Sequence, residues 1–266
     1  MKSKHQRAFS VLGNIAIVNF PKGKFKISEK KKFAQDILKK NKAIKTILEK
    51  SGKFSGRLRK MKTKYLAGEK TKEVLYKENN CVFRFNIDTT YFSPRLSGER
   101  KEIASQIKGK NKEVLVMFAG VAPYSIVIAK NSNVKKVYSN EINREANKYA
   151  EMNIKRNKLK DKIELLPGDI KKIAEKLKKQ KKKFDFIIMP RPQLRESFLK
   201  QAFDLSKKST RIFYYDFCKI DKVDEIVEKI LNEAKKNKKK IKILNVKKAG
   251  EIAPYKIRCR VDFKLI

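Results

Sequence analysis

The chain is poor in histidine, tryptophan, cysteine and negative charge: one His, no Trp, three Cys, and 28 acidic against 69 basic residues in 266. Each scarcity excludes something. His5 sits near the terminus, so mechanisms built on a histidine base, a serine–histidine pair or a histidine-ligated metal have no residue to use. Cys81, Cys218 and Cys259 are widely spaced and lack a Cys-x-x-Cys pair, which argues against a zinc site or a disulfide framework. The longest apolar run, 114–123, falls short of the roughly 20 residues that a membrane-spanning helix needs. The apolar stretch 15–18 behind the basic N-terminus is too short for a signal peptide. These absences predict a soluble, cytoplasmic protein without metal. Its chemistry must rest on carboxylates, Arg, Lys, Tyr, backbone groups or an organic cofactor.

What is present is a 41% apolar fraction, enough for a core, and a net charge of +41. A chain this basic repels itself unless a polyanion neutralises it, and nucleic acid is the common one. Lysine greatly outnumbers arginine, which a compositional bias or life at high temperature also produces. Lysine gives affinity without base selectivity, so charge alone names no particular nucleic acid.

The pattern changes along the chain. Residues 8–20 read as strands turning at Gly13-Asn14. Ser28 is placed to cap a helix running to about Glu49, with Phe33, Ile37, Leu38, Ile44, Ile47 and Leu48 as its apolar face. Strands are expected at 58–66, 73–76 and 81–87, completing a small α+β module over 1–92. From 93 to 266, strands and helices alternate at βαβ spacing: strands at 114–118, 134–139, 163–166, 184–189 and 211–215, with helices between, one of them over 194–203. That alternation predicts a doubly wound, mostly parallel sheet, an α/β domain.

Ligands in such sheets bind at the carboxyl ends of the strands. Three strand ends carry suitable groups. Phe118-Ala119-Gly120-Val121-Ala122-Pro123 is a small-residue turn that lets a ligand approach the backbone and a helix start. Glu141, about 20 residues on, is placed to accept hydrogen bonds from ribose hydroxyls, with Ile142 beside it. Asp169, followed by Ile170, can meet an adenine amino group. Each piece alone is common, and an acid at a strand end is often only a helix cap. In this order they point to a nucleoside cofactor. The turn lacks the full G-x-G-x-x-G of dinucleotide sites, which counts against NAD.

Four stretches carry a resemblance: 92–100 (Phe-Ser-Pro-Arg-Leu-Ser-Gly-Glu-Arg), 117–123, 141–146 and 153–157. Together they resemble the archaeal and eukaryotic tRNA (guanine-37 N1)-methyltransferase family, over nearly the whole chain. Gly56-Arg-Leu-Arg59, Leu66-Ala-Gly68, Ala253-Pro254 and Asp262-Phe263 also fit. The resemblance implies a Rossmann-like class I methyltransferase domain preceded by a small α+β RNA-positioning domain. It implies S-adenosylmethionine as cofactor and the anticodon loop of tRNA as partner; a monomer is expected, although sequence does not give the oligomeric state. It implies Glu99 as general base and Arg59 as the group holding the guanine carbonyl oxygen. Arg100 is expected at the cofactor carboxylate, and Phe118, Ala119, Gly120, Val121, Glu141, Ile142, Asp169 and Ile170 around the cofactor. Burial is expected to raise the Glu99 pKa toward the working range. Tyr91, Phe92 and Tyr124 are candidates for stacking on an extruded base, with core packing an equal alternative for each.

The departures are informative. The chain begins at what resembles the family's second domain. Glu141 stands where the family usually has Asp, and Pro190-Arg191-Pro192 where it has Asn-Leu-Pro. Both changes resemble the archaeal subgroup that also methylates carbon 7 of 4-demethylwyosine, with Pro190 lining a roomier base pocket. Val116 and Ala122 replace a usual Asp and Gly. The alternatives are methylation of guanine alone, or a basic RNA-binding protein with a degenerate cofactor pocket.

Overall fold

The computed structural model describes residues 9–21, 23–52, 56, 58 and 61–266, so Arg59 lies outside the described residues. The chain divides into two compact units, one of Met1–Glu78 with Val82–Pro94, the other of Asn79–Cys81 with Arg95–Ile266.

In the first unit, strands β1 (Phe9–Leu12), β2 (Ile15–Val18), β3 (Thr46–Lys50) and β4 (Thr63–Gly68) form a sheet in chain order. The β1–β2 turn needs its glycine: Gly13 holds φ +57, and a Cβ there would lie 2.0 Å from the Leu75 carbonyl oxygen. Helix α1 (Ile27–Lys40) crosses over between the parallel strands β2 and β3. It buries Ala34 and Ile37 against the sheet. Strands β5 (Glu73–Glu78) and β6 (Cys81–Asn86) pair as a separate ribbon.

One expectation fails here. The helix predicted to reach Glu49 stops at Lys40, and Thr46–Lys50 is a strand paired on both sides, with β2 and β4. Thr46, Ile47 and Leu48 are all buried because both faces of β3 are covered. A strand buried on both faces loses its alternation, and a short apolar run then looks like more helix. The strand expected from Leu58 begins only at Thr63.

The second unit starts with α2 (Ser97–Gln106). Then come β7 (Glu113–Val116), α3 (Pro123–Asn131), β8 (Lys136–Glu141), α4 (Arg144–Arg156), β9 (Ile163–Pro167), α5 (Ile170–Lys179) and β10 (Phe184–Met189). They are followed by α6 (Leu199–Asp204), β11 (Ser206–Lys219), α7 (Val223–Lys236), β12 (Ile241–Ala253) and β13 (Lys256–Leu265). The seven-stranded sheet runs β12-β13-β11-β10-β7-β8-β9. Strands β9, β8, β7, β10 and β11 are mutually parallel, and β13 enters antiparallel between β11 and β12. The order reverses between β7 and β10, the switch point at which open sheets bind ligands. This is the Rossmann-like architecture expected from the alternation.

One face of the sheet is covered by α5, α6 and α7 around Phe184, Phe203, Tyr214 and Phe263, each fully buried and contributing about 2 kcal/mol by burial. The edge strand β12 carries three register shifts and exposed lysines, which blunt it against pairing with other chains. Helix α6 is much shorter than the 194–203 expected. The Arg191 guanidinium takes the carbonyls of Leu194 and Glu196, which a helix would use internally, and Phe198 sits at φ +60.

Candidate active site

Parallel register aligns the ends of β10, β7, β8 and β9, with Ile188 beside Val116, Val116 beside Ser139 and Glu141 beside Pro167. The β7–α3 turn leaves this edge in an unusual backbone path. Phe118, Gly120 and Ala122 all lie in the left-handed region, at φ +58, +59 and +64. Both neighbouring strands hold it: Met117 N–H donates to Ile188 O at 2.9 Å and Ala119 N–H to Asn140 O at 2.8 Å. Gly120 N–H donates to Glu141 Oε2 at 2.7 Å.

Ala122 is the residue that occupies a glycine's conformation. A left-handed alanine costs roughly 1 kcal/mol relative to the right-handed region, and glycine recovers part of it. Ala122→Gly is therefore expected to raise the melting temperature by about 2 °C, read by thermal circular dichroism. An unchanged or lower value would refute the strain.

Glu141 does more than face outward. Its other oxygen accepts from Asn143 N–H at 2.7 Å, so the carboxylate joins the turn to the start of α4. Asn143 caps that helix, accepting from Glu145 N–H at 3.1 Å. Asp169 caps α5 by accepting from Lys171 N–H at 2.9 Å, the plainer of its two readings. Asn140, missed by sequence reasoning, donates to Leu166 O at 2.7 Å and Gly168 O at 3.0 Å and so ties β8 to the end of β9. Ile142 is half-buried at this rim, while the Ile170 side chain is in the core.

A second constellation lies between α2 and the β11–β13–β12 part of the sheet. Glu99 and Glu102 are three apart on α2 and share a face; Arg260 and Asp262 are two apart on β13 and share a face. Glu99 is 8% exposed. Its Oε2 accepts from Arg260 Nη1 at 2.7 Å and from the Tyr215 hydroxyl at 3.0 Å, and its Oε1 pairs with Lys247 Nζ at 2.8 Å. Arg260 also reaches Glu102 at 2.6 Å and Asp262 at 2.8 Å, and Lys247 reaches Glu102 at 2.6 Å. Arg211 pairs with Asp262 at 3.2 Å. Three carboxylates thus meet three cations, and the Tyr124 hydroxyl donates to that of Tyr215 at 3.2 Å behind them.

The electrostatics follow. Burial pushes the Tyr215 hydroxyl well up and the Tyr124 hydroxyl up, so both stay protonated donors. Burial would lift the Glu102 carboxyl, but hydrogen bonds from Lys247 and Arg260 outweigh it and hold it below the usual value. Burial works against the Lys247 cation, and Glu102 and Glu99 overcome it. The Glu99 carboxyl is buried as expected, and that burial comes with two cations and a phenol. Tyr215, Lys247 and Arg260 were missed. The available signal was two charges alternating with apolar residues in Arg260-Val-Asp262, which marks a buried polar face on a strand.

Arg100 is buried against α3, its guanidinium 5.8 Å from the Tyr124 ring centroid. Pro190 ends β10 half-buried. Arg191 beside it is buried and pairs with Asp216, which also receives the Tyr214 hydroxyl at 2.9 Å and Lys229 at 3.0 Å. Of the stacking candidates, two take the core alternative: Phe92 stacks on Phe85 at 4.7 Å, and Tyr124 is buried against Tyr215. Among the described residues no group of three His, Cys, Asp or Glu could hold a metal, and no helix is long and apolar enough to cross a membrane.

Comparison with known proteins agrees with this geometry. The signature of the TRM5/TYW2 methyltransferase domain matches residues 74–244, and that of the TYW2 N-terminal domain matches 1–71. The chain is 33% identical to the tRNA (guanine(37)-N(1))/4-demethylwyosine(37)-methyltransferase Taw22 of Nanoarchaeum equitans, over 97% of this chain and 100% of that one. The crystal structure of Trm5b from Pyrococcus abyssi superposes with a TM-score of 0.83 at 30% identity, over 97% of this chain and 74% of that one. The complex of aTrm5 with tRNALeu superposes at 0.81 and 28% identity, over 97% and 72%. With the sheet order, the switch-point turn and these matches together, the chain belongs to the TRM5/TYW2 methyltransferase family.

Proposed function

We propose that this protein transfers a methyl group from S-adenosylmethionine to the purine at position 37 of tRNA, acting on N1 of guanine and on carbon 7 of 4-demethylwyosine. The observation that carries it is the end-to-end match to an enzyme whose name states both substrates. Pro190 at the end of β10 supports the wider base specificity, because proline brings no side-chain donor to the base edge. The donor set suits the cofactor: a small-residue turn after β7, a carboxylate at the β8 end and another after β9.

When bound, S-adenosylmethionine supplies an electrophilic methyl on a sulfonium. The chain orients the reactants and manages one proton. Phe118, Ala119, Gly120, Val121, Glu141, Ile142, Asp169 and Ile170 form the cofactor rim. Glu99 takes the proton that leaves the purine as the new bond forms, from N1 of guanine or from carbon 7 of the tricyclic base. Tyr215, Arg260 and Lys247 hold its carboxylate in one orientation. Arg59 stabilises the negative charge that develops on the guanine carbonyl oxygen. Arg100 acts from α2 on the cofactor side. Residues 1–92 position the RNA. The protein works as a cytoplasmic monomer.

The test incubates purified protein with labelled S-adenosylmethionine and tRNA-Phe bearing guanine or 4-demethylwyosine at position 37, followed by nucleoside mass spectrometry. Methyl is expected on both bases, and Pro190→Asn is expected to lower the 4-demethylwyosine to guanine ratio about tenfold, the weight of one base-edge contact. Methyl on guanine alone would remove the dual reading. Methyl on neither would overturn the assignment.

A further inference from the structure

The β12–β13 hairpin ends at the side of the sheet where the parallel strands finish. β13 runs antiparallel to β11, and the register sets Lys256 opposite Lys219, the last residue of β11. The tip thus lies at the same end as the β8, β9 and β10 termini. Here Tyr255 is 82% exposed, with Ile220 at 53% and Ile252 at 45%. Ile220 N–H donates to Tyr255 O at 3.0 Å, which ties the tip to the β11–α7 connection.

Three features of this tip oppose folding. Tyr255 holds φ +57, a left-handed backbone that a bulky residue rarely adopts. Lys219 and Lys256 sit directly cross-strand, an unfavourable like-charge pair. The aromatic ring and two isoleucines meet water instead of the core. Contact with an unpaired nucleotide reverses two of them at once: the ring gains a base to stack on, and the two ammonium groups gain phosphates. A duplex offers no such exposed base face, and an apolar protein partner gives the lysine pair nothing.

We propose that the Tyr255 tip is a stacking platform for an unpaired nucleotide flanking the target base, with Lys219 and Lys256 on the adjoining phosphates. The proposal rests on the reading that RNA is the substrate, and it adds a residue that positions it.

The experiment measures binding of an isolated anticodon stem-loop by fluorescence anisotropy, and steady-state kinetics on the same RNA, for wild type, Tyr255→Ala, Tyr255→Phe and Lys256→Ala. Because Tyr255 is exposed, melting temperature and S-adenosylmethionine affinity should not change. Tyr255→Ala is expected to raise Kd and KM about tenfold with kcat unchanged, and Tyr255→Phe to stay within about twofold of wild type. Lys256→Ala should lower the salt slope of log Kd by about one. Equal Kd for wild type and Tyr255→Ala overturns the platform, even where methylation proceeds. If wild type methylates nothing yet Tyr255→Ala weakens stem-loop binding, the platform stands and the proposed reaction falls.

Discussion

Glu99→Gln is expected to lower turnover of tRNA methylation by about 10²- to 10⁴-fold while S-adenosylmethionine binding is retained. Glutamine keeps the length and shape of the side chain and one acceptor for the Tyr215 hydroxyl and Arg260, so the group stays where α2 puts it. It cannot take up the proton that the reaction releases. No histidine among the described residues, and only His5 in the chain, offers a substitute. The measurement is single-turnover kinetics at saturating RNA, with calorimetry for the cofactor and thermal unfolding as a control. A purely structural Glu99 would give the opposite division: a lower melting temperature with the folded fraction turning over at the wild-type rate.

Arg260→Met is expected to destabilise the second unit by about 3–5 kcal/mol. The Arg260 side chain is fully buried and faces Glu99, Glu102 and Asp262. Burial works against its charge, and Glu102, Asp262 and Glu99 more than restore it, so the guanidinium stays protonated at every accessible pH. Removing it leaves Asp262, already raised by burial, with Arg211 alone, and leaves Glu99 with Lys247. The melting temperature is expected to fall by about 10 °C. Arg260→Lys restores the charge but not the planar fork that serves three carboxylates, and should recover only part of the loss. A melting temperature unchanged in Arg260→Met would show that the network is neutral to folding.

The two outcomes are linked because one guanidinium supports both. Arg260 joins β13 to α2, and α2 carries Glu99. A change in the sheet thus reaches the proposed base through the Arg260 hydrogen bond of 2.7 Å, beside those from Tyr215 and Lys247.

Much of this was legible without coordinates. The βαβ spacing from 113 onward, the glycine turn at 118–123, Glu141 and Asp169 at successive strand ends, and the helix starting near Glu99 are all local signals. Each is written within one or two elements, by the period of apolar residues or by a turn residue, and the chain folds locally as those signals direct. The specific stretch 92–100 is contiguous too, which is why the family could be named from it.

Other features had no local trace. Thr46–Lys50 became a central strand because two partners came to lie beside it, and nothing within those five residues states that. Phe92 and Tyr124 became core residues through neighbours supplied elsewhere in each unit. Glu99 meets Arg260 across 161 positions, and Arg191 meets Asp216 across 25. Tyr255 reaches the end of the sheet where the strand termini gather only because β13 inserts antiparallel beside β11. Sequence alone determined the βαβ alternation, the turn at 118–123 and the family, since periodicity and turn chemistry act over a few residues. Strand order decided which charges share a buried space and which side chains stand where the strand termini gather, since burial and ion pairing depend on neighbours that the chain brings together only when it folds.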